Sequence, residues 1–353
     1  MIPYIRQTLA NGLVVVVNRD RASKLAAVNI LYRVGARNEN PARTGFAHLF
    51  EHLMFRGTRQ VPNFDLPVQM ASGDNNAFTN NDYTDFYITL PKDNLETALW
   101  LESDRMEGLD ITPEKLETEK RVVIEEFRQR YLNQPYGDQM MLLRDLAYRT
   151  HPYRWATIGR TPDHIEQATL ADVEAFYRRH YHPSNAVLSI SADLDEERML
   201  ALAEKWFGPL ADRPSAADPV PQELPQREAR RREVERDVPA TTVSVAYHMG
   251  RRRDPDFQTA DLISDLLAGG DSGRLYNRSG SCSRASMPTS REISIPGCSS
   301  SRDSCSPERL PKPSRRPSAR RSTPCCAMPP RSTRSKRSRT SSRPRRSLAN
   351  SMS

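Results

Sequence analysis

Apolar and polar positions alternate in short runs through the first 212 residues, with longer runs at helical spacing between them. Asn11-Gly12 marks a turn, and the Leu-Val-Val-Val-Val stretch after it, residues 13–17, reads as a strand. Residues 27–32, 86–90 and 186–190 read as further strands. Apolar side chains recur every three or four positions over 95–105, 113–131, 136–147, 170–177 and 196–207, which predicts helices there. Strands interleaved with helices predict an α+β domain, a mixed β-sheet flanked by helices, over residues 1–212. That length can bury a full core.

Residues 213–232 carry Pro214, Pro219, Pro221 and Pro225 among charges and read as a linker. A second domain then starts at 233, with a strand at 242–247 and a helix over 258–268. Leu262, Ile263, Leu266 and Leu267 lie on one face of that helix, and Gly269-Gly270 stops it. The pattern breaks after residue 278. Residues 279–353 hold 17 Lys and Arg, 22 serines, three acids, all five cysteines and no Phe, Tyr or Trp. The chain's net charge of +8 is therefore misleading: residues 1–278 carry −6 and the tail +14. With so few large apolar side chains the tail is expected to be disordered. A shifted reading frame accounts for it best, because out-of-frame GC-rich coding DNA yields Arg, Ser, Pro, Ala and Cys in excess. An ordinary unstructured extension and a nucleic-acid-binding arm are the other readings. Nucleic-acid binding would rest wholly on this tail, and a disulfide framework is not expected, since residues 1–278 lack cysteine.

Candidate chemistry gathers at His48-Leu49-Phe50-Glu51-His52. Histidines four apart on a helix stand about 40° from each other around its axis, so both rings reach one ion. A neighbouring carboxylate outside the ligand set, Glu51, can take a proton from water. H-x-x-E-H is the inverted form of a zinc-peptidase signature. Leu49, Phe50, Leu53, Met54 and Phe55 make the helix apolar nearly all round, which predicts burial. Gly57 is expected to cap it in the left-handed conformation. A zinc site of this kind needs a third protein ligand. The helix over 113–131 offers Glu119 and Glu126, seven apart on one face, while Glu125 points elsewhere. Alone, that segment reads better as a solvated charged face, given Lys120, Arg121 and Arg128 nearby. His151, His164, His180, His182 and His248 show no paired spacing, and Trp100, Trp155 and Trp206 read as core.

Together these residues resemble the pitrilysin–insulysin family of zinc peptidases, which includes the mitochondrial processing peptidase β subunit and single-chain bacterial relatives. The glutamate pair, Tyr32 to Arg37, Arg43 to Gly45, Asn76 to Thr79, Tyr83 to Tyr87, His151 to Tyr153 and Tyr181 to Leu188 carry the likeness, over about 9–278. The resemblance implies Zn²⁺ held by His48, His52 and Glu126, with Glu119 orienting the site and Glu51 as general base. It implies that Asn76, Ala77 and Phe78 bind an extended peptide by strand addition. It implies a two-domain peptidase whose second domain is here incomplete, acting on peptides or unfolded protein, with a second peptidase-like subunit or a homodimer as partner. A catalytically silent structural subunit is the alternative, although such subunits normally lack a ligand or the base. No apolar run approaches the ~20 residues that span a bilayer, and no secretory signal is evident. The expected compartment is the cytoplasm, or the periplasm if the true start lies upstream.

Overall fold

The computed structural model describes residues 2–213, 219–268, 272–274 and 292–296. Its elements run β1 Ile5–Thr8, β2 Val14–Arg19, β3 Leu25–Tyr32, α1 Phe46–Leu53, α2 Asp65–Met70, β4 Asp74–Thr79 and β5 Thr84–Pro91. They continue α3 Leu95–Glu107, α4 Pro113–Phe127, α5 Gln139–Ala147, α6 Pro162–Glu166, α7 Leu170–His180, β6 Ala186–Ala192 and α8 Glu196–Phe207. β7 Ser244–His248, α9 Pro255–Ala268 and β8 Glu292–Pro296 complete the described chain.

The first six strands form one mixed sheet in the order β1-β2-β6-β3-β5-β4. β2 and β6 are parallel, from Val14 against Val187 to Arg19 against Ala192, and the other neighbours are antiparallel. Alternation dictates the faces: Ala26, Val28, Ile30 and Tyr32 of β3 are buried, as are Ala186, Leu188, Ile190 and Ala192 of β6. Leu49, Phe50 and Leu53 of α1, Leu95, Leu99 and Leu101 of α3, and Met199, Ala203 and Phe207 of α8 join the same core. At the turn after α1, Phe55 lies with Phe64 and Phe86 around the buried guanidinium of Arg105, 4.3–5.6 Å from the ring centroids. Arg105 also pairs with buried Glu102, so this charge is compensated rather than stranded. β4 is one of the two outermost strands, and its outer edge pairs with no other strand among the described residues. On that strand the Asn76 side chain accepts a hydrogen bond from the N–H of Ala77, at 2.8 Å.

Several sequence expectations shift. α4 ends at Phe127 and continues as a π-helical turn over Arg128–Leu132, where one regular helix was expected. The helix expected from 136 starts at Gln139, because Tyr136 adopts a left-handed φ of 63°. Its hydroxyl accepts from the Ala240 N–H (3.0 Å) and donates to the Ala240 carbonyl (2.7 Å). Those contacts span 104 residues of sequence and leave no local signature. α1 is not buried all round: Phe46, Ala47, Leu49, Phe50 and Leu53 are buried, while His48, Glu51 and His52 are half-buried on the face left open. Gly57 has the expected positive φ (84°), but three residues beyond the α1 cap at Met54.

The linker is anchored at Glu223, whose carboxylate accepts the backbone N–H groups of Arg149, Thr150 and His151 at 2.8–3.0 Å. In α9, Leu262, Ile263 and Leu266 are exposed. The tail expectation needs one correction: Glu292–Pro296 is a strand, paired antiparallel with β7 from His248↔Glu292 to Ser244↔Pro296. Ile293 and Ile295 flank Ser294, a strand-forming alternation, and β7 pairs with no other described strand. The rest of 279–353, with the cysteines, lies outside the described residues, as do the glycines at 269 and 270. Among the described residues no helix is long and apolar enough to cross a membrane.

Candidate metal centre

The site lies between α1 and α4. The first turn of α1 has no side-chain cap of its own, because Gly45 stands at its N-cap with φ 93°. A Cβ there would meet the Ile158 carbonyl oxygen at 2.6 Å and Ile165 Cδ1 at 2.7 Å, so glycine is required. The orphan N–H groups are satisfied from a distance. Glu39, buried in the preceding loop, accepts from Gly45 N–H (2.9 Å) and Ala47 N–H (2.8 Å), and also from the Trp155 indole (3.1 Å). This carboxylate ties the start of the histidine helix to the loop that carries Trp155.

Four residues further on, the rings of His48 and His52 lie 4.8 Å apart between centroids, tilted 76°. Across the gap, Glu126 on α4 points one oxygen, Oε2, at both: 3.6 Å from His48 Nε2 and 3.5 Å from His52 Nε2. One donor atom from each of the three residues falls within 4.8 Å of the others, and this is the sole such group of His, Cys, Asp and Glu among the described residues. Glu119, one side of the site and almost wholly buried, sets Oε2 3.3 Å from His52 Nδ1. In the neutral ring this contact favours the proton on Nδ1 and leaves the Nε2 lone pair facing inward. The other Glu119 oxygen pairs with Arg56. Glu125 points away to solvent, 3.7 Å from Arg128.

Electrostatics follow from burial and these partners. Burial holds His48 below the ordinary histidine range, so its lone pair is free at neutral pH, and its buried Nδ1 has no hydrogen-bond partner among the described residues. Burial also opposes a charge on His52, but Glu119 and Glu126 outweigh it and raise its pKa. The two carboxylates that would keep a proton on His52 equally favour a metal cation in its place. Two imidazole nitrogens and a carboxylate oxygen, with no fourth protein donor, suit zinc with a position left for water. Burial pushes the Glu51 carboxyl up, against a hydrogen bond from Thr79 that pulls it down.

Thr79 ends β4, so the edge strand reaches the Glu51 carboxylate on α1. Asn76 and Phe78 are exposed on β4 and Ala77 half-buried; they pair with Tyr87, Asp85 and Phe86 of β5. Asn76, Ala77 and Phe78 thus lie on the edge strand itself. Glu39, Arg56 and Arg130 carried no role in the sequence reading. Arg56 follows His52 by four and Arg130 follows Glu126 by four, a helical spacing that could have flagged both.

Comparison with known proteins agrees with this arrangement. The profile described as "Insulinase (Peptidase family M16)" matches residues 14–159, and "Peptidase M16 inactive domain" matches 167–280. The chain is 34% identical over 276 residues to the "Zinc protease PqqE" of Helicobacter pylori, covering 76% of this chain and 62% of that one. It is 25% identical over 278 residues to the "Mitochondrial-processing peptidase subunit beta" of Saccharomyces cerevisiae, covering 76% and 59%. A crystal structure of a protease from Helicobacter pylori superposes with TM-score 0.77 and 31% identity, covering 85% of this chain and 76% of that one. The matched relatives are named as zinc proteases and processing peptidases. The chain belongs to the insulinase family, peptidase family M16. It spans about three fifths of the length of the curated relatives it matches.

Proposed function

We propose that this chain is the metal-bearing part of a zinc endopeptidase. The observation that carries the reading is the convergence of His48, His52 and Glu126 donor atoms within 4.8 Å. In this reading those three residues hold the ion and Glu119 keeps His52 in the required tautomer. When bound, zinc supplies Lewis acidity that acidifies water and polarises a peptide carbonyl near neutral pH. Glu51, one residue before His52 and outside the donor set, takes the proton from the attacking water and passes it to the leaving amine. Its raised pKa, caused by burial, suits a group that must both accept and return a proton. The free edge of β4 receives the substrate as an added strand, main chain to main chain, with Asn76, Ala77 and Phe78 alongside the scissile bond. Peptides or unfolded proteins are the substrate class, because only an extended backbone can pair in this way. The closing half of the chamber is supplied by a completed second domain, a second peptidase-like subunit or another copy of this chain.

The test separates metal from base. Glu51→Gln keeps shape and burial but cannot accept the proton, so the full chain is expected to hold about one zinc and to lose peptide cleavage by orders of magnitude. Cleavage retained by Glu51→Gln would place the base elsewhere.

A further inference from the structure

One charged residue at the centre is not accounted for by ligand, base or substrate roles. Glu126 has two carboxylate oxygens and they face opposite ways. Oε2 looks into the site, 3.6 and 3.5 Å from the two imidazole Nε2 atoms, whereas Oε1 is paired with Arg130 Nη1 at 3.0 Å. Arg130 belongs to the π-helical turn that follows α4, a local departure from regular helix of the kind often found at functional sites. The guanidinium is two-thirds exposed and packs into no core, so the fold does not need it for stability. What it does need, by geometry, is the second oxygen of the ligand.

We propose that Arg130 is a positioning residue that holds Glu126 to one-oxygen ligation of the metal and so keeps a coordination position free for water. The inference rests on the metal site proposed above. A carboxylate ligates through one oxygen or two, and the two modes are close enough in energy for an ion pair on one oxygen to decide between them. With Oε1 engaged by Arg130, the protein offers three donors. With Oε1 released, Glu126 can chelate, the protein offers four, and the position that water needs is taken. Arg130 also places a positive charge beside a bound cation. Removing it therefore favours the cation twice, by lifting the repulsion and by freeing a donor. The residue weakens metal binding in exchange for an open site.

The spectrum of cobalt(II) separates these two effects, because its visible bands change when a chelating carboxylate with a narrow bite replaces water, and do not change when only a nearby charge is removed. The full 353-residue chain would be loaded with Co²⁺ alone, and affinity measured by chelator competition. Arg130→Met is expected to bind Co²⁺ severalfold more tightly and to shift the positions and intensities of the visible bands. In a Glu126→Gln background, where an amide cannot chelate, Arg130→Met should leave the spectrum unchanged. Tighter binding with an unaltered spectrum would reduce Arg130 to a nearby charge and overturn the proposal. Unaltered affinity and spectrum would overturn it too. Failure of the unmutated chain to take up cobalt would sink the metal site itself and the proposal with it.

Discussion

Glu119 gives the sharpest test of how the site is built. Its side chain is 1% exposed and its Oε2 lies 3.3 Å from His52 Nδ1. Glu119→Gln removes the charge with little change of volume. A hydrogen bond to a buried charged acceptor contributes about 1.5–3 kcal/mol, and loss of an outer partner of a ligating histidine typically lowers metal affinity about 10–100-fold. The two figures agree, since tenfold is about 1.4 kcal/mol. Two side effects must be kept apart from this one. Arg56 loses its partner, but it is half exposed and re-solvates at little cost. Loss of a negative charge near a cation acts in the same direction as loss of orientation. Glu117→Gln, on the same helix but 54% exposed, removes an equal charge without touching a histidine. Zinc affinity of the three proteins by chelator competition is the assay, with apo-protein melting to exclude unfolding. Glu119→Gln binding zinc as tightly as the unmutated chain, or Glu117→Gln losing as much, would refute the orienting role.

Glu126→Ala is expected to lose most bound zinc and Glu125→Ala almost none, because the two side chains lie about 100° apart around α4; metal analysis after dialysis decides, and equal losses would reject the ligand assignment. Burial alone would raise the Glu223 carboxyl, yet the N–H groups of His151, Thr150 and Arg149 hold it down to about 2. A depressed folded pKa means this contribution is whole above pH ~4.5 and is lost as pH falls towards 2; Glu223→Gln should flatten that part of the acid-unfolding curve. Gly45→Ala should cost more than about 1 kcal/mol in melting experiments, since a φ of 93° and the Ile158 carbonyl both oppose a Cβ. If a shifted frame produced residues 279–353, the gene should hold another open frame from codon 279 coding roughly 130 residues or more, enough to complete a domain; sequencing that finds none rejects the shift.

Much of this was legible because it depends on short-range periodicity. The spacing of four in His48 and His52 and of seven in Glu119 and Glu126 puts each pair on one helix face whatever the surroundings. The valines of β2 and the alternation of β3 and β6 likewise declare strands. What sequence could not supply was anything that depends on a distant partner. Ile5–Thr8 pairs only with β2 and buries nothing, so it lacks an apolar signature. α2 and α6 are one-turn helices, six and five residues long, below the length at which periodicity can be read. Glu39 looks like any loop acid until Trp155, 116 residues away, closes over it. The open face of α1 was misjudged for a similar reason. Counting apolar neighbours predicts burial all round, whereas the groove between α1 and α4 leaves the side with Glu51 accessible.

The hydrogen bond from Ala77 N–H to its neighbour Asn76 has a meaning for solubility as well as for recognition. A strand edge exposed at the rim of a sheet is a template that any extended segment can extend, including the same strand of another molecule. Here the chain answers its own donor with a side chain. An incoming peptide exchanges one bond for another at that position and gains almost nothing from it. Only a segment that continues along the edge, pairing at several positions in register, comes out ahead. If β4 receives substrate as proposed, brief encounters would be turned away while long, unfolded backbones would be retained. Asp74, Asn75 and Asn76 strengthen the filter, since these residues form strands poorly and would stack a charge against its own copy if two such edges met. The same rim can thus stay monomeric in a crowded solution and still be ready for an extended guest.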